Sequence, residues 1–137
     1  MKILFQGDSI TDCGRNRDVT WPNDGLGQGY ANLAASRLLA DFPAKGLEFF
    51  NRGISGNRVV DLYARWKVDA LNLLPDVISI LIGVNDTWHE YGSQNGVEPE
   101  RCGRGDSGKI LGVGSTVRFA RPGDLVWTSG TPWATHA

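Results

Sequence analysis

The sequence is poor in cysteine, in net charge and in long hydrophobic runs, and each shortage excludes a class of protein. Two cysteines, Cys13 and Cys102, are too few and too far apart for a disulfide scaffold or a metal knuckle. Fourteen Lys and Arg against fifteen Asp and Glu give a net charge of -1, which attracts neither nucleic acid nor anionic lipid. The longest apolar run, residues 77–84, is far shorter than the roughly 20 residues of a membrane-spanning helix. We therefore expect no nucleic-acid partner and no membrane partner.

Signals for cofactors and for export are also lacking. Gly25, Gly27 and Gly29 do not have the spacing of a dinucleotide-binding loop and do not follow a strand directly. No His, Cys or carboxylate cluster has metal-ligand spacing. The first apolar run, Ile3 to Phe5, is shorter than the roughly 7–15 residues of a signal-peptide core. We therefore predict no cofactor, no metal and a cytoplasmic location.

Apolar periodicity predicts alternating strands and helices over the first 82 residues. The predicted strands are residues 2–6, the segment around 47–50, and the β-branched run 76–82. Helices are predicted over residues 29–41, which Pro43 follows, and over the long stripe 59–73, which ends before Pro75. Strand and helix in alternation are typical of right-handed crossovers, so the sequence predicts an α/β fold around a parallel sheet.

The chain changes character after about Arg101. The last 36 residues hold seven glycines, no glutamate and no helical period. Residues 117–127 read as two short strands around an Arg-Pro-Gly-Asp turn, which predicts a β-hairpin. We therefore divide the chain into a main part, residues 1–101, and a divergent tail, residues 102–137. Unless that tail covers it, the apolar strand 76–82 is left at a sheet edge, where a homo-oligomer would form.

Polar turns follow the three predicted strands, at residues 7–9, 51–57 and 83–86. Because the carboxyl ends of parallel strands meet at one crevice, we expect these turns to share a site. Ser9 can present a nucleophilic hydroxyl there. A backbone N–H beside Gly56 and the side-chain amide of Asn85 can both donate hydrogen bonds to a developing oxyanion. The pattern favours acyl-transfer chemistry.

These three turns resemble the sequence blocks of the GDSL or SGNH hydrolases. GDSIT around Ser9, NRGISGNR around Gly56 and GVND around Asn85 occur in the family's order and at comparable spacing. The resemblance covers about residues 2–101 and is closest to lysophospholipase-like and carbohydrate-ester esterases. It implies a flavodoxin-like three-layer α/β/α sandwich. It also implies that Ser9 is the nucleophile and that the N–H groups of Ser9 and Gly56, with the Asn85 side chain, form the oxyanion hole.

The family's remaining block, an Asp-x-x-His near the C-terminus, has no counterpart at the end of this chain. The two histidines are His89 and His136, and Trp133 stands three residues before the second. His136 is close to the end of the sequence given, where a base is poorly held. His89, four residues after Asn85, is expected to line the site, with replacement of the missing base as an alternative. We therefore expect an impaired catalyst, truncated or altered at its C-terminus.

Each site residue also has a purely structural alternative. Ser9 could cap a helix, Gly56 could serve a tight turn, and Asn85 with Asp86 could form an Asx turn. Asp8 and Asp86 are also expected to line the site, Asp8 as a turn-stabilising carboxylate rather than as the group that orients a base.

The sequence thus predicts a serine esterase acting on small acyl esters, with acetylated carbohydrates among the candidate substrates. The alternative is a non-catalytic remnant that binds acyl groups or associates with itself. Hydrolysis that depends on Ser9 separates the two.

Overall fold

The computed structural model describes residues 1–97 and the pair 119–120, and in it a four-stranded sheet is flanked by helices. The strands are β1 (Lys2–Gly7), β2 (Glu48–Asn51), β3 (Val77–Leu81) and β4 (Phe119–Ala120). The helices are α1 (Ser9–Asp12), α2 (Tyr30–Asp41), α3 (Val59–Ala64), α4 (Trp66–Asp69) and α5 (Val84–Ser93), with 3-10 turns at Pro43–Lys45 and Leu71–Leu73.

β1 is the central strand, with β2 and β3 parallel to it on either side. Its side chains alternate between the two faces of the sheet, as the pleat requires. Ile3 and Phe5 belong to a buried cluster with Ala35 of α2. Leu4 belongs to a second buried cluster, with Ala70 just after α4. Helices therefore cover both faces, and the predicted α/β class with a parallel sheet is confirmed.

The prediction of one helix over residues 59–73 was wrong. The segment contains α3, α4 and a 3-10 turn, and the break between α3 and α4 falls at Arg65, where φ is -104° and ψ is 5°. Arg65 turns its guanidinium toward carbonyl groups at the ends of β1 and β2. Tyr63, a member of the predicted apolar stripe, is 72% exposed. We attribute the break in the helix to the hydrogen bonds of Arg65 with these carbonyl groups, since tertiary contacts can override local helix propensity.

The prediction of a polar loop after Gly83 was also wrong, since α5 begins immediately at Val84. Gly83 precedes the helix with a φ of 124°, a conformation that favours glycine. Val84, Trp88 and Tyr91 recur in α5 at i, i+4 and i+7, which is the signal that could have revealed the helix. These three side chains are exposed, and the buried residue of α5 is Asp86.

β4 belongs to the tail and pairs antiparallel with β3, opposite Ile78 and Ser79. The edge of β3, which we expected to be exposed unless the tail covered it, is thus covered by the tail at these two residues. The boundary at residue 101 and most of the hairpin predicted over 117–127 lie outside the described residues. Within the described residues, no helix is long and apolar enough to cross a membrane.

Candidate active site

The first turn places Ser9 at the surface beyond the carboxyl end of β1. The close packing of this turn against β3 and α1 requires glycine at position 7, because a Cβ there would collide with the Leu81 carbonyl oxygen and the Thr11 hydroxyl. Asp8 Oδ1 accepts the Ile10 N–H at 3.0 Å, so this carboxylate caps α1. Asp8 is 1% exposed, and burial raises the pKa of its carboxyl. The cap holds the first turn of α1, where Ser9 is the first residue.

Ser9 is exposed, and within the described part of the chain its Oγ has no hydrogen-bond partner. Its N–H precedes the first bond of α1 and also has no acceptor there. Ser9 therefore does not cap a helix, because Asp8 is the N-cap residue of α1. Both the hydroxyl and the amide of Ser9 are available to a ligand.

Asp12 joins α1 to the second turn, and sequence reasoning missed it. Its Oδ2 accepts the Ser55 N–H at 3.0 Å and the Ser55 hydroxyl at 3.1 Å, and it also pairs with Arg17. Burial alone would raise the pKa of Asp12, but the hydrogen bonds from Arg17 and Ser55 outweigh it and lower that pKa. Asp12 is therefore a charged link between the helix that begins at Ser9 and the loop that contains Gly56.

The second turn is also packed directly against α1. Asn51 donates from Nδ2 to the Thr11 carbonyl at 2.6 Å, and its Oδ1 accepts the Gly53 N–H at 2.9 Å. A Cβ on Gly53 would lie 2.7 Å from the Thr11 carbonyl carbon, so the close approach requires glycine. The Ile54 N–H donates to the Gly7 carbonyl at 3.0 Å. The first two turns thus form one packed unit.

Gly56 lies at the tip of the second turn with a φ of +83°. A Cβ at this position would meet no atom within 4 Å, so the glycine serves conformation and access rather than packing. Its N–H has no acceptor among the described residues. The tight-turn interpretation and the donor interpretation of Gly56 are compatible, since the turn leaves the amide free.

The third turn is tied to the second by Asn85, which donates from Nδ2 to the Asn57 carbonyl at 3.0 Å. The neighbouring Asp86 is 1% exposed, and its two oxygens each lie 3.1 Å from the Val59 nitrogen and accept its N–H. Burial raises the pKa of Asp86. Both side chains reach the second turn or the start of α3, so the simple Asx turn is not formed.

Arg65 is the second residue that sequence reasoning missed. Its guanidinium contacts β1, the second turn and α4 through five acceptors: Gly7 O, Gln6 Oε1, Arg52 O, Asn57 Oδ1 and Asp69 Oδ2. The side chain is 15% exposed. The sequence offers no clear signal for Arg65, because Asp61, Lys67 and Asp69 are charged residues of the same stretch. Arg65 differs from them in its hydrogen bonds to carbonyl groups of distant segments.

His89 lies on α5 and is partly buried. Hydrogen bonds from Arg58 lower the pKa of Asp61, and His89 is close enough to Asp61 to add to this effect. Asp86 and His89 do have Asp-x-x-His spacing, which sequence reasoning overlooked. Asp86 is nonetheless bonded to Val59, and no hydrogen bond joins it to His89. His136 lies outside the described residues.

Among the described residues, no group of three or more His, Cys, Asp and Glu side chains is placed to hold a metal ion. The chemistry that this region offers is a hydroxyl, two unpaired backbone amides and a carboxamide. Such donors suit an ester oxygen on which negative charge develops.

A family model described as GDSL-like lipase/acylhydrolase matches residues 5–133. An acetylxylan esterase from Geobacillus stearothermophilus is 50% identical over 91 residues, which are 66% of this chain and 42% of that protein. A crystal structure from Parabacteroides merdae, described as a GDSL-like lipase, is 49% identical with a TM-score of 0.67, over 70% of this chain and 45% of that one.

A further solved structure is a catalytic mutant of the Geobacillus stearothermophilus acetylxylan esterase in which a histidine is replaced by alanine. It is 46% identical with a TM-score of 0.64, over 69% of this chain and 43% of that chain. The chain therefore spans less than half the length of each of these relatives.

Proposed function

We propose that this chain, which belongs to the GDSL-like lipase/acylhydrolase family, carries the nucleophile and the oxyanion-binding groups of a serine esterase. The observation that carries the proposal is the hydrogen bond from Asn85 Nδ2 to the Asn57 carbonyl. It fixes a carboxamide one residue from Gly56, whose amide has no acceptor within the part of the chain that the structure describes. The Asp12–Ser55 bonds attach Ser9's helix to the same turn.

In the proposed reaction, the Ser9 hydroxyl attacks the carbonyl carbon of an ester and loses its proton to a base. The carbonyl oxygen becomes an oxyanion that accepts hydrogen bonds from the N–H groups of Ser9 and Gly56 and from the second Nδ2 proton of Asn85. Collapse of the tetrahedral intermediate breaks the ester C–O bond; the alcohol leaves with the proton that the base had taken from Ser9, and an acyl-serine remains. Water then hydrolyses the acyl-serine and restores the hydroxyl.

We infer that the 137-residue chain, assayed as it stands, turns over slowly. A histidine takes part in catalysis in the Geobacillus esterase, since its alanine variant is a catalytic mutant. Among the described residues of this chain, no hydrogen bond joins His89 to Ser9, and Asp86, three residues before His89, is bonded to Val59. In a serine protease, removing the histidine base costs about 10^6 in kcat. The base serves acylation as well as deacylation, so both steps are expected to be slow. Labelling of Ser9 requires one event per chain and is for that reason easier to detect than steady turnover.

The proposed substrates are small acyl esters, and acetylated carbohydrates are the first class to test. The support is the 50% identity to an acetylxylan esterase over the part of the chain that holds all three turns. Comparison of acetyl, butyryl and octanoyl esters of 4-nitrophenol, followed by an acetylated xylo-oligosaccharide, tests this assignment. Preference for the octanoyl ester would contradict it.

The decisive experiment is covalent labelling with a fluorophosphonate, followed by peptide mass spectrometry. We expect phosphonylation at Ser9 and its loss in Ser9→Ala. Ser36→Ala is the matched control, because Ser36 is also an exposed helical serine but lies on α2. Equal labelling of the two serines, or none at Ser9, would favour the non-catalytic alternative.

A further inference from the structure

The guanidinium of Arg65 contacts two of the three turns at once. Its Nη2 donates to the Gly7 carbonyl at 3.1 Å, immediately before Asp8 and Ser9. Its Nη1 donates to the Arg52 carbonyl at 2.7 Å, at the start of the second turn. Its Nε donates to Asn57 Oδ1 at 2.7 Å, at the end of the same turn.

The third turn is reached through Asn57. The side chain of Asn57 accepts from Arg65, while its backbone carbonyl accepts from Asn85 Nδ2 at 3.0 Å. Fixing the Asn57 side chain restricts rotation of the residue and so fixes the direction of its carbonyl. The orientation of the Asn85 amide therefore depends on Arg65 through one intermediate residue.

The charge of Arg65 is compensated away from the site. Its Nη1 pairs with Asp69 Oδ2 at 2.8 Å and donates to Gln6 Oε1 at 2.9 Å. Asp69 thus balances the charge of the guanidinium. Nη1 shares its two hydrogens among Asp69, Gln6 and the Arg52 carbonyl, while Nε and Nη2 donate to Asn57 and Gly7. A lysine would supply the charge but not the planar fork that serves acceptors in several directions.

We propose that Arg65 is a positioning residue, which holds the Gly7 and Asn57 ends of the two turns and thereby orients the Asn85 carboxamide toward the oxyanion. This inference rests on the proposed function for the role of Asn85. It goes further by placing the control of that role in a residue on the opposite side of Asn57. A purely structural Arg65 would attach α3 and α4 to the sheet without affecting Asn85.

The side-chain amide of Asn85 can be observed directly in a 15N–1H correlation spectrum, where Asn85→Ala identifies its pair of signals. In Arg65→Lys we expect both signals to move toward the positions of a free amide and to exchange faster with water. Asn57→Ala removes the intermediate acceptor and is expected to give the same change. Arg37→Lys is the control, because Arg37 forms an exposed ion pair with Asp41.

Labelling of Ser9 by a fluorophosphonate supplies the second readout. Arg65→Lys is expected to slow labelling about tenfold, the factor that corresponds to one lost hydrogen bond. In an Asn85→Ala background the same substitution is expected to have no further effect. An equal tenfold loss in both backgrounds would assign Arg65 a structural role and overturn the proposal.

The two proposals fail separately. Absence of Ser9 labelling in the unmodified chain refutes the proposed function but leaves the amide spectrum informative. Unchanged Asn85 signals in both Arg65→Lys and Asn57→Ala would refute the inference about Arg65, whatever the labelling result. If Arg65→Lys lowers the melting temperature too far for spectroscopy, the Asn85 signals of Asn57→Ala test the inference. This variant leaves the guanidinium and its other four acceptors in place.

Discussion

Replacing Gly53 by alanine tests how closely the second turn packs on α1. The new Cβ would lie 2.7 Å from the Thr11 carbonyl carbon and 2.8 Å from Thr11 Cβ, whereas ordinary contacts begin at 3.4 Å. The turn and the helix must therefore separate by at least about 0.7 Å, because the opposing atoms are not the end of a flexible side chain. Overpacking of this kind costs about 1–3 kcal/mol.

The expected loss of stability exceeds an opposing effect of alanine on the unfolded chain. Gly→Ala restricts the unfolded state and stabilises by about 0.4–1 kcal/mol where the native backbone allows it. Gly92→Ala provides the control, since a Cβ there meets nothing within 4 Å and the residue is helical. Urea unfolding should therefore lower the free energy of unfolding for Gly53→Ala and raise it for Gly92→Ala.

Gly53→Ala should also slow phosphonylation of Ser9, because the helix and the oxyanion donors move apart. A displacement near 1 Å costs about 10^2 in rate, so a loss of one to two orders of magnitude is expected. Gly92→Ala should label at the unmodified rate. If the two variants unfold at the same urea concentration, the packing of the turn on α1 is refuted.

Two further predictions use the same assays. Asp12→Asn should lower the free energy of unfolding by about 1–3 kcal/mol at pH 7, because charge-assisted bonds are lost. The pKa of Asp12 is lower in the folded chain than in the unfolded chain, where it is about 3.9. The stability that its charge contributes is therefore present above about 3.9 and is lost as the pH falls through the folded pKa, so the stabilities of the variant and the unmodified chain should converge in acid. A difference in stability that grew in acid would contradict this prediction. Gly56→Ala and Gly46→Ala both place a Cβ at positive φ in open space and should each cost about 1–2 kcal/mol. Alanine keeps the backbone N–H, but its Cβ obstructs close approach and disfavours the conformation that directs this amide, so Gly56→Ala alone should slow labelling of Ser9; equal labelling of the two variants would argue against a ligand that approaches Gly56.

The parts of the fold that could be predicted are those encoded locally. The apolar run before Gly7 and the β-branched run after Pro75 each form the strand expected of them. Polar residues follow both strands, although those around Asn85 begin α5 instead of forming a loop. Their common position at the carboxyl ends of the strands follows from the geometry of parallel sheets. Local sequence was therefore sufficient for the positions of Ser9 and Asn85.

What could not be predicted depends on contacts between residues far apart in the chain. Asp12 bonds Ser55, 43 residues later, and Arg65 bonds Gly7, 58 residues earlier. Apolar periodicity does not distinguish Asp12 or Arg65 from other polar residues, because it carries no information on contacts between distant parts of the chain. We attribute the break at Arg65 to the same kind of contact, because its guanidinium is held by Gln6 and Gly7 of β1 and by the Arg52 carbonyl, whereas the i,i+4 pair with Asp69 is compatible with a continuous helix.

The three turns are held to one another mainly by short polar side chains, and this has a consequence for catalysis. Oxyanion donors lower a barrier when their orientation is fixed before the charge develops. Here the Asn85 amide is oriented by Asn57, and Ser9's helix is joined to the Gly56 turn by Asp12. Each donor thus depends on an atom that belongs to another turn. Substitutions in these linking residues should therefore combine non-additively, as expected for groups that act as one unit.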